Sequence, residues 1–427
     1  MSSITTRSPA QPDVRVHGTS LVGLSVAARL ARWGHVVELV DTPGQPAPGA
    51  EPPITTLPAA WRDLFTKTGQ PMAGVLNAAH LELVEAPPPT HRFFDGTEVV
   101  LPTDRGAQIR ALEPLVGRSQ AQSWARLLDR ADTLWQGLRR HGTERPFDPN
   151  ADLRDLLPRT TMGELATELR DPRLVMLWNS MAIRAGAEHS EVTGDSRAPA
   201  LLSSRWSVER IFGRWHLIDT DTRHVQPLSR LVDLLVARAG TLGVHNRGLP
   251  ARAAMARAEV DATLPVPPRP RWPWGPAPRV WAPVFESRDD DNDLPMGVVS
   301  ECVDHMDESG PVVTWRWQGR AVTSTWDSPM NPPAPTGGWT IDTFRHWRDR
   351  PPLRVDENHW RGSAASHAGN ESWAQLLTGA LIAYEVHEHL TGEDIRPTNR
   401  NAPTPPRLRP VPRSADGPNT DVSHPRE

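Results

Sequence analysis

The stretch VRVHGTSLVGLSVAARLARWGHVVELVD, Val14 to Asp41, constrains the fold more than any other part of the chain. Val14 and Val16 alternate as residues of a buried strand do, and Gly18 opens a tight turn. Leu24, Ala27, Ala28 and Ala31 then recur at the spacing of one helix face. Gly34 stops that helix, and Val36 and Val37 start a second strand that ends at Asp41. Strand, turn, helix and acid-terminated strand make up a dinucleotide-binding unit, in which a pyrophosphate lies on the helix N-terminus and the acid hydrogen-bonds a ribose hydroxyl. The spacing departs from GxGxxG in the middle, reading Gly18, Ser20, Gly23. The middle glycine is where backbone and pyrophosphate approach most closely, so Ser20 sets a side chain there. The candidate cofactor contacts are Gly18, Thr19, Ser20, Leu21, Gly23 and Asp41. A Rossmann-like unit that holds no nucleotide is the other reading of these residues.

A chain of 427 residues exceeds one ordinary core and predicts two domains or a discontinuous pair. Met1 to Asp13 is polar, and no apolar run is long enough to cross a bilayer, so a cytoplasmic location is expected. Cys302 is the only cysteine, which excludes disulfide frameworks and cysteine-rich zinc sites. A net charge of −4 without a basic block gives no electrostatic footprint for nucleic acid. Asp289 to Asp293 lacks the glycine and terminal glutamate of a calcium loop. His387, Glu388 and His389 do not make HExxH, so no metal site is assigned.

Further along, Phe93, Phe94, Asp95 and Gly96 read as strand and hairpin turn, with Glu98 to Leu101 as the return strand. Trp124, Leu127, Leu128, Ala131, Leu134, Trp135 and Leu138 repeat as an amphipathic helix, followed by helices over Met162 to Arg170 and Arg173 to Ala185. Leu228, Leu231, Val232, Leu235 and Ala239 form another stripe, stopped by Gly240 and Gly243. Gln318 and Gly319 make a two-residue turn between strands, with Val313, Trp315 and Trp317 on one face. That face packs under helices or lines a site for a flat apolar substrate.

The run HWRGSAASHAGNESWAQLLTGALIAYEVHEHLTG predicts a strand, a turn with His367, Ala368, Gly369 and Asn370, and a helix. Asn370 reads as the N-cap, and Trp373, Leu376, Leu377, Ala380, Leu381 and Tyr384 as the buried stripe. A helix start offers free N–H groups and a positive dipole end to a negatively charged group. An ordinary strand-to-helix packing turn is the alternative.

PPITTLPAAWRDLFTKTGQPM resembles the region after the nucleotide fold in phytoene desaturase-like members of the FAD-dependent amine oxidase superfamily. The likeness continues through HRFFDGTEVVLPTD and the helix after Ala198. It returns in the last run, which resembles the carboxy-terminal FAD motif with Gly362, Gly369 and Asn370. It covers most of Val14 to Gly392 and is strongest at the two ends. Two features depart from the family. No GGR-type turn follows Asp41, where Gly44 and Gly49 stand isolated. After Val244, HNRGLPARAAMARAEVDATLPVPP shortens the lobe that closes the adenosine end in relatives and leaves Glu259 to Leu264 as its last strand.

The resemblance implies an α/β fold: a discontinuous Rossmann-like FAD-binding domain (14–85, 200–264 and 355–392) with an inserted mixed α+β substrate domain (86–199 and 265–354). Residues 1–13 and 393–427 are expected to be disordered. The implied activity is that of an FAD-dependent oxidoreductase, desaturase- or dehydrogenase-like. It would remove hydride from a small hydrophobic or amine substrate, where positioning and water exclusion matter more than an acid or base. No catalytic side chain is nominated. Peripheral membrane contact is expected as well, because the resembled desaturases draw apolar polyenes from lipid. The alternative is a cofactor-free or weakly binding pseudo-enzyme that serves as a binding or partner protein. Electron acceptor and oligomeric state stay open.

Overall fold

The alternation in VRVH sets the two faces of the strand around which the central sheet is built. A computed structural model describes residues 12–41, 52–187, 197–247, 255–263, 280–281, 284–305, 311–325 and 338–397. The sheets and helices belong to the first of two units, Met1–Asp394 and Ile395–Glu427. The central sheet contains β1 (Val14–His17), β2 (Val37–Val40), β3 (His245–Arg247), β4 (Ala258–Asp261) and β5 (His359–Arg361). It is parallel and ordered β5-β4-β1-β2-β3. Strand order reverses at β1, so the carboxyl end of β1, at Gly18, is the topological switch point where open α/β sheets take their ligands.

Val14, Val16 and Val260 are fully buried in one core with the first helix, Leu21–Arg32, and the last, Ser372–Thr391. The two helices meet closely because their contact residues are small. A Cβ added to Gly379 would lie 2.6 Å from the Ser25 Cβ, and the Ser25 hydroxyl donates to the Leu376 carbonyl at 3.3 Å. The other side of β1 is charged. Arg15 donates to Glu38 at 2.7 Å and to Glu259 at 3.0 Å, and His17 Nε2 lies 2.7 Å from Glu259. The register sets both acids directly opposite Arg15, so buried charge is met across neighbouring strands.

A six-stranded mixed sheet runs in the order Val284–Asp289, Arg320–Thr325, Val312–Trp317, Ser300–His305, Thr90–Phe93, Glu98–Val100. Its hairpin turn has positive φ at both Gln318 (40°) and Gly319 (74°), the conformation whose twist suits a two-residue hairpin loop. The strands Ile54–Thr56, Arg214–Asp219 and Leu81–Glu85 pair antiparallel in a third sheet. Helices Arg118–Leu138, Pro172–Arg184 and Ser204–Phe212 meet around Trp124, which packs edge-on against Trp178 and Trp206.

Several local expectations change. The helix expected over Met162 to Arg170 is a short turn, Met162–Leu165, followed by a 3-10 turn at Ala166–Glu168. Gly240 lies within the helix Ser229–Thr241 rather than stopping it, and Gly243, with φ at 82°, takes the left-handed position beyond it. The last helix is capped at Glu371, not Asn370. Asn370 instead accepts the Gln375 side-chain amide on its carbonyl at 2.8 Å. The isolated glycines Gly44 and Gly49 and the proline-rich crossing from Pro265 to Pro278 lie outside the described residues.

Candidate functional site

The turn after β1 is held from both sides. Gly18 has φ at 98°, a left-handed value that favours glycine, and its N–H bonds the Val40 carbonyl at 2.9 Å. A Cβ on Gly23 would fall far inside van der Waals contact with the Gly18 carbonyl oxygen, so only glycine lets the first helix start this close to the strand. Ser20 is the N-cap of that helix: its hydroxyl accepts from the Gly23 N–H at 3.3 Å and donates to the Ala262 carbonyl at 2.7 Å. The Ser20 side chain is thus turned into the protein, tying the turn to the end of β4. At this helix start the N–H groups of Leu21 and Val22 have no partner within the helix. Asp41 follows β2 directly and is exposed.

The carboxy-terminal motif meets this turn through Gly362. Its N–H bonds the Asp261 carbonyl at 2.9 Å, and an added Cβ would lie 3.1 Å from Val22 and closer still to Ile382. Gly369, with φ at 114°, lets the chain reverse before the last helix. Leu21 and Asn370, from the two motifs, line one cavity of about 190 Å³.

That cavity has walls of two kinds. Trp61, Trp315, Trp373 and Phe285 supply flat apolar surface. Arg184, Arg205 and Arg214 face Glu209, Glu301 and Glu371. Arg184 lies 3.3 Å from Glu209 and 3.7 Å from Glu301, Arg214 pairs with Glu301, and Arg205 with Glu371. Trp315 Nε1 donates to Glu301 at 2.7 Å, and Trp373 Nε1 donates to Glu371. Burial pushes the Glu209 carboxyl up, and Arg184 and Arg205 together pull it further down, below its usual range. Burial and the neighbouring Arg184 lower Arg205 to about 10, so it keeps its charge at neutral pH. Glu301 is almost fully buried, yet its Oε1 has no hydrogen-bond partner. The network is balanced in charge, and Glu301 Oε1 has the Arg184 guanidinium 3.7 Å away without a hydrogen bond to it.

The turn Gly18, Thr19, Ser20, Leu21 and Gly23 therefore sits beside Gly362, Leu21 and Asn370 line one cavity, Gly369 lines a smaller one, and Asp41 lies at the neighbouring strand end. Sequence reading did not find the charged wall. Its members come from four separate elements and the cap of the last helix, and only Arg205 and Glu209, four residues apart on one helix, left a local signal. Trp315 both packs in a core cluster and lines the cavity.

The sequence is 30% identical over 204 residues to a phytoene dehydrogenase of Streptomyces griseus, covering 43% of this chain and 39% of that protein. It is 28% identical over 254 residues to a hydroxyneurosporene desaturase of Cereibacter sphaeroides, covering 52% and 48%. The matched stretch spans less than half the length of either relative. In fold it is similar to a putrescine oxidase solved with putrescine bound, with a TM-score of 0.52 and 12% identity over 88% of this chain and 99% of that one. No family model matches the chain. The phytoene desaturase-like proteins are thus its sequence relatives over about half of the chain, and the putrescine oxidase shares its fold.

Proposed function

We propose that this protein is an FAD-dependent oxidoreductase that removes hydride from a small substrate in the 190 Å³ cavity. The observation that carries the reading is that Gly362 packs against Val22 of the Gly18–Gly23 turn and helix, while Leu21 and Asn370, at the starts of the first and last helices, line one cavity.

The residues present fit the cofactor. The steric demand at Gly23 and the inward turn of Ser20 leave the first helix start open to a pyrophosphate, whose charge suits the N–H groups of Leu21 and Val22. Asp41 is the ribose acceptor, and Gly362, Gly369 and Asn370 frame the second helix start. When bound, FAD supplies a hydride-accepting ring. The chain supplies position and dryness: Trp61, Trp315 and Trp373 exclude water, and the paired arginines and glutamates hold a fixed field around the reacting atoms. The cavity is smaller than the about 300–1,000 Å³ of a pocket for a drug-sized ligand, which favours a compact substrate over an extended polyene.

The test is reductive. Protein loaded with FAD is mixed anaerobically with a panel of small amines and small unsaturated or hydroaromatic acids, and bleaching of the bound flavin is followed. A bound flavin that dithionite reduces and no member of the panel does would contradict the reading.

A further inference from the structure

A second, smaller cavity of about 50 Å³ adjoins the first, and Arg205, Asn370, Glu371 and Trp373 line both. Its far wall carries Arg350, which is 4% exposed. Two carbonyls anchor that guanidinium: Nη1 donates to Ser366 at 2.6 Å and Nη2 to Trp339 at 3.1 Å. Its Nε has no partner, and among the described residues no carboxylate comes within ion-pairing distance. Every other buried arginine at the cavities, Arg184, Arg205 and Arg214, has a glutamate beside it. Burial lowers Arg350 only to about 9, so it stays charged at neutral pH. An isolated buried cation is costly, and anchoring two carbonyls needs only a neutral donor. The charge itself therefore calls for a partner that arrives from outside the described chain.

Arg205 lines the same cavity, but its guanidinium is already paired with Glu371 and its Nε lies 3.8 Å from Glu209, so Arg350 is the arginine there without an acid. A guanidinium without an acid among tryptophan rings suits an anionic oxygen. The volume is a few times the about 10–15 Å³ that holds one water and falls far short of a ring system, so it admits a head group and leaves the body of the ligand to the larger cavity.

We propose that this cavity is a subsite for the carboxylate of a small organic acid, held by Arg350. Binding of the acid stands apart from the oxidoreductase reading, and only its assignment as the substrate's head group rests on that reading.

Benzoate and its neutral isostere benzamide probe the subsite on the full chain without added FAD, by calorimetric titration and by thermal unfolding. Benzoate binds saturably and raises the melting temperature, benzamide binds about tenfold more weakly or worse, and Arg350→Gln lowers benzoate affinity by about tenfold or more. Arg350→Lys keeps the charge without the fork and loses at least about threefold; it carries the comparison if Arg350→Gln does not fold. The proposal is overturned if benzamide matches benzoate or if the Arg350 variants bind benzoate as the parent does. It is overturned equally if chloride at the same concentration stabilises the chain as much, the mark of an adventitious ion only. Because no flavin is present, failure here leaves the cofactor question untouched.

Discussion

The Ser20 hydroxyl donates to the carbonyl oxygen of Ala262 at 2.7 Å, so the turn after β1 is tied to the strand end beside it. The Ser20 hydroxyl oxygen also caps the first helix, accepting from the Gly23 N–H. Ser20→Ala removes both bonds and orphans a buried carbonyl, a loss of about 1–2 kcal/mol in urea unfolding. Ser20→Gly costs about 1 kcal/mol, because glycine is itself an acceptable cap. Since the side chain is already turned away, Ser20→Gly changes FAD affinity by less than about threefold. A tenfold gain would show that the hydroxyl obstructs the phosphate after all.

Glycine at 23 is a steric requirement, and glycine at 74 is not. Gly23→Ala drives a Cβ into the Gly18 carbonyl, where only backbone movement relieves it, at about 3 kcal/mol or more. Gly74, inside the helix Met72–Ala78, has nothing within 4 Å of an added Cβ, so Gly74→Ala stabilises by about 0.5–1 kcal/mol. Equal effects of the two changes on the unfolding midpoint would contradict this account of the turn.

Asp41→Ala separates binding from folding. The residue is exposed at the end of β2, so the unfolding midpoint without FAD should hardly move. With the ribose acceptor gone, FAD affinity falls by about 1.5–3 kcal/mol, the worth of a hydrogen bond to a charged group. Unchanged affinity in a flavin titration would remove Asp41 from the site.

Three buried histidines set an acid limit on stability. Burial, with Arg184 nearby, lowers His305 to about 3. Burial lowers His367 to about 3 against the pull of its bond to the Arg348 carbonyl. Burial, then His305 at 3.0 Å, holds His91 well below its ordinary value. Each folded pKa lies below the unfolded value near 6.5, so the unfolded chain takes up the extra protons as pH falls. Stability is complete above about pH 6.5 and is lost on acidification towards 3, by up to about 1.4 kcal/mol per pH unit for each group. Carboxylates such as Glu209 add their losses only lower, so the interval from pH 6.5 to 5 isolates the histidines. A flat urea midpoint across that interval would refute the assignment.

The sequence made the first βαβ unit legible because its signals are local: a strand of alternating residues, a glycine turn and a helix face within 28 residues. The hairpin at Gln318–Gly319 was legible for the same reason. The charged face of β1 was written in Arg15 and His17, but its acids, Glu38 and Glu259, come from strands whose neighbourhood no local pattern reveals. The same holds for the cavity. Glu301 meets Arg214 across 87 residues, and Arg350 stands out only once its surroundings show no acid. The direction of the Ser20 side chain was not legible for a local reason: helix-capping serines and phosphate-facing positions share one place in the turn, and only the folded chain decides between them.

The central claim, that the two glycine turns frame an FAD site, is tested most directly by incubating the purified full chain with excess FAD, passing it through gel filtration and recording its visible spectrum. The account predicts stoichiometric flavin absorbance eluting with the protein. A colourless protein peak would contradict it and leave a chain that keeps the fold of the flavin enzymes without the cofactor.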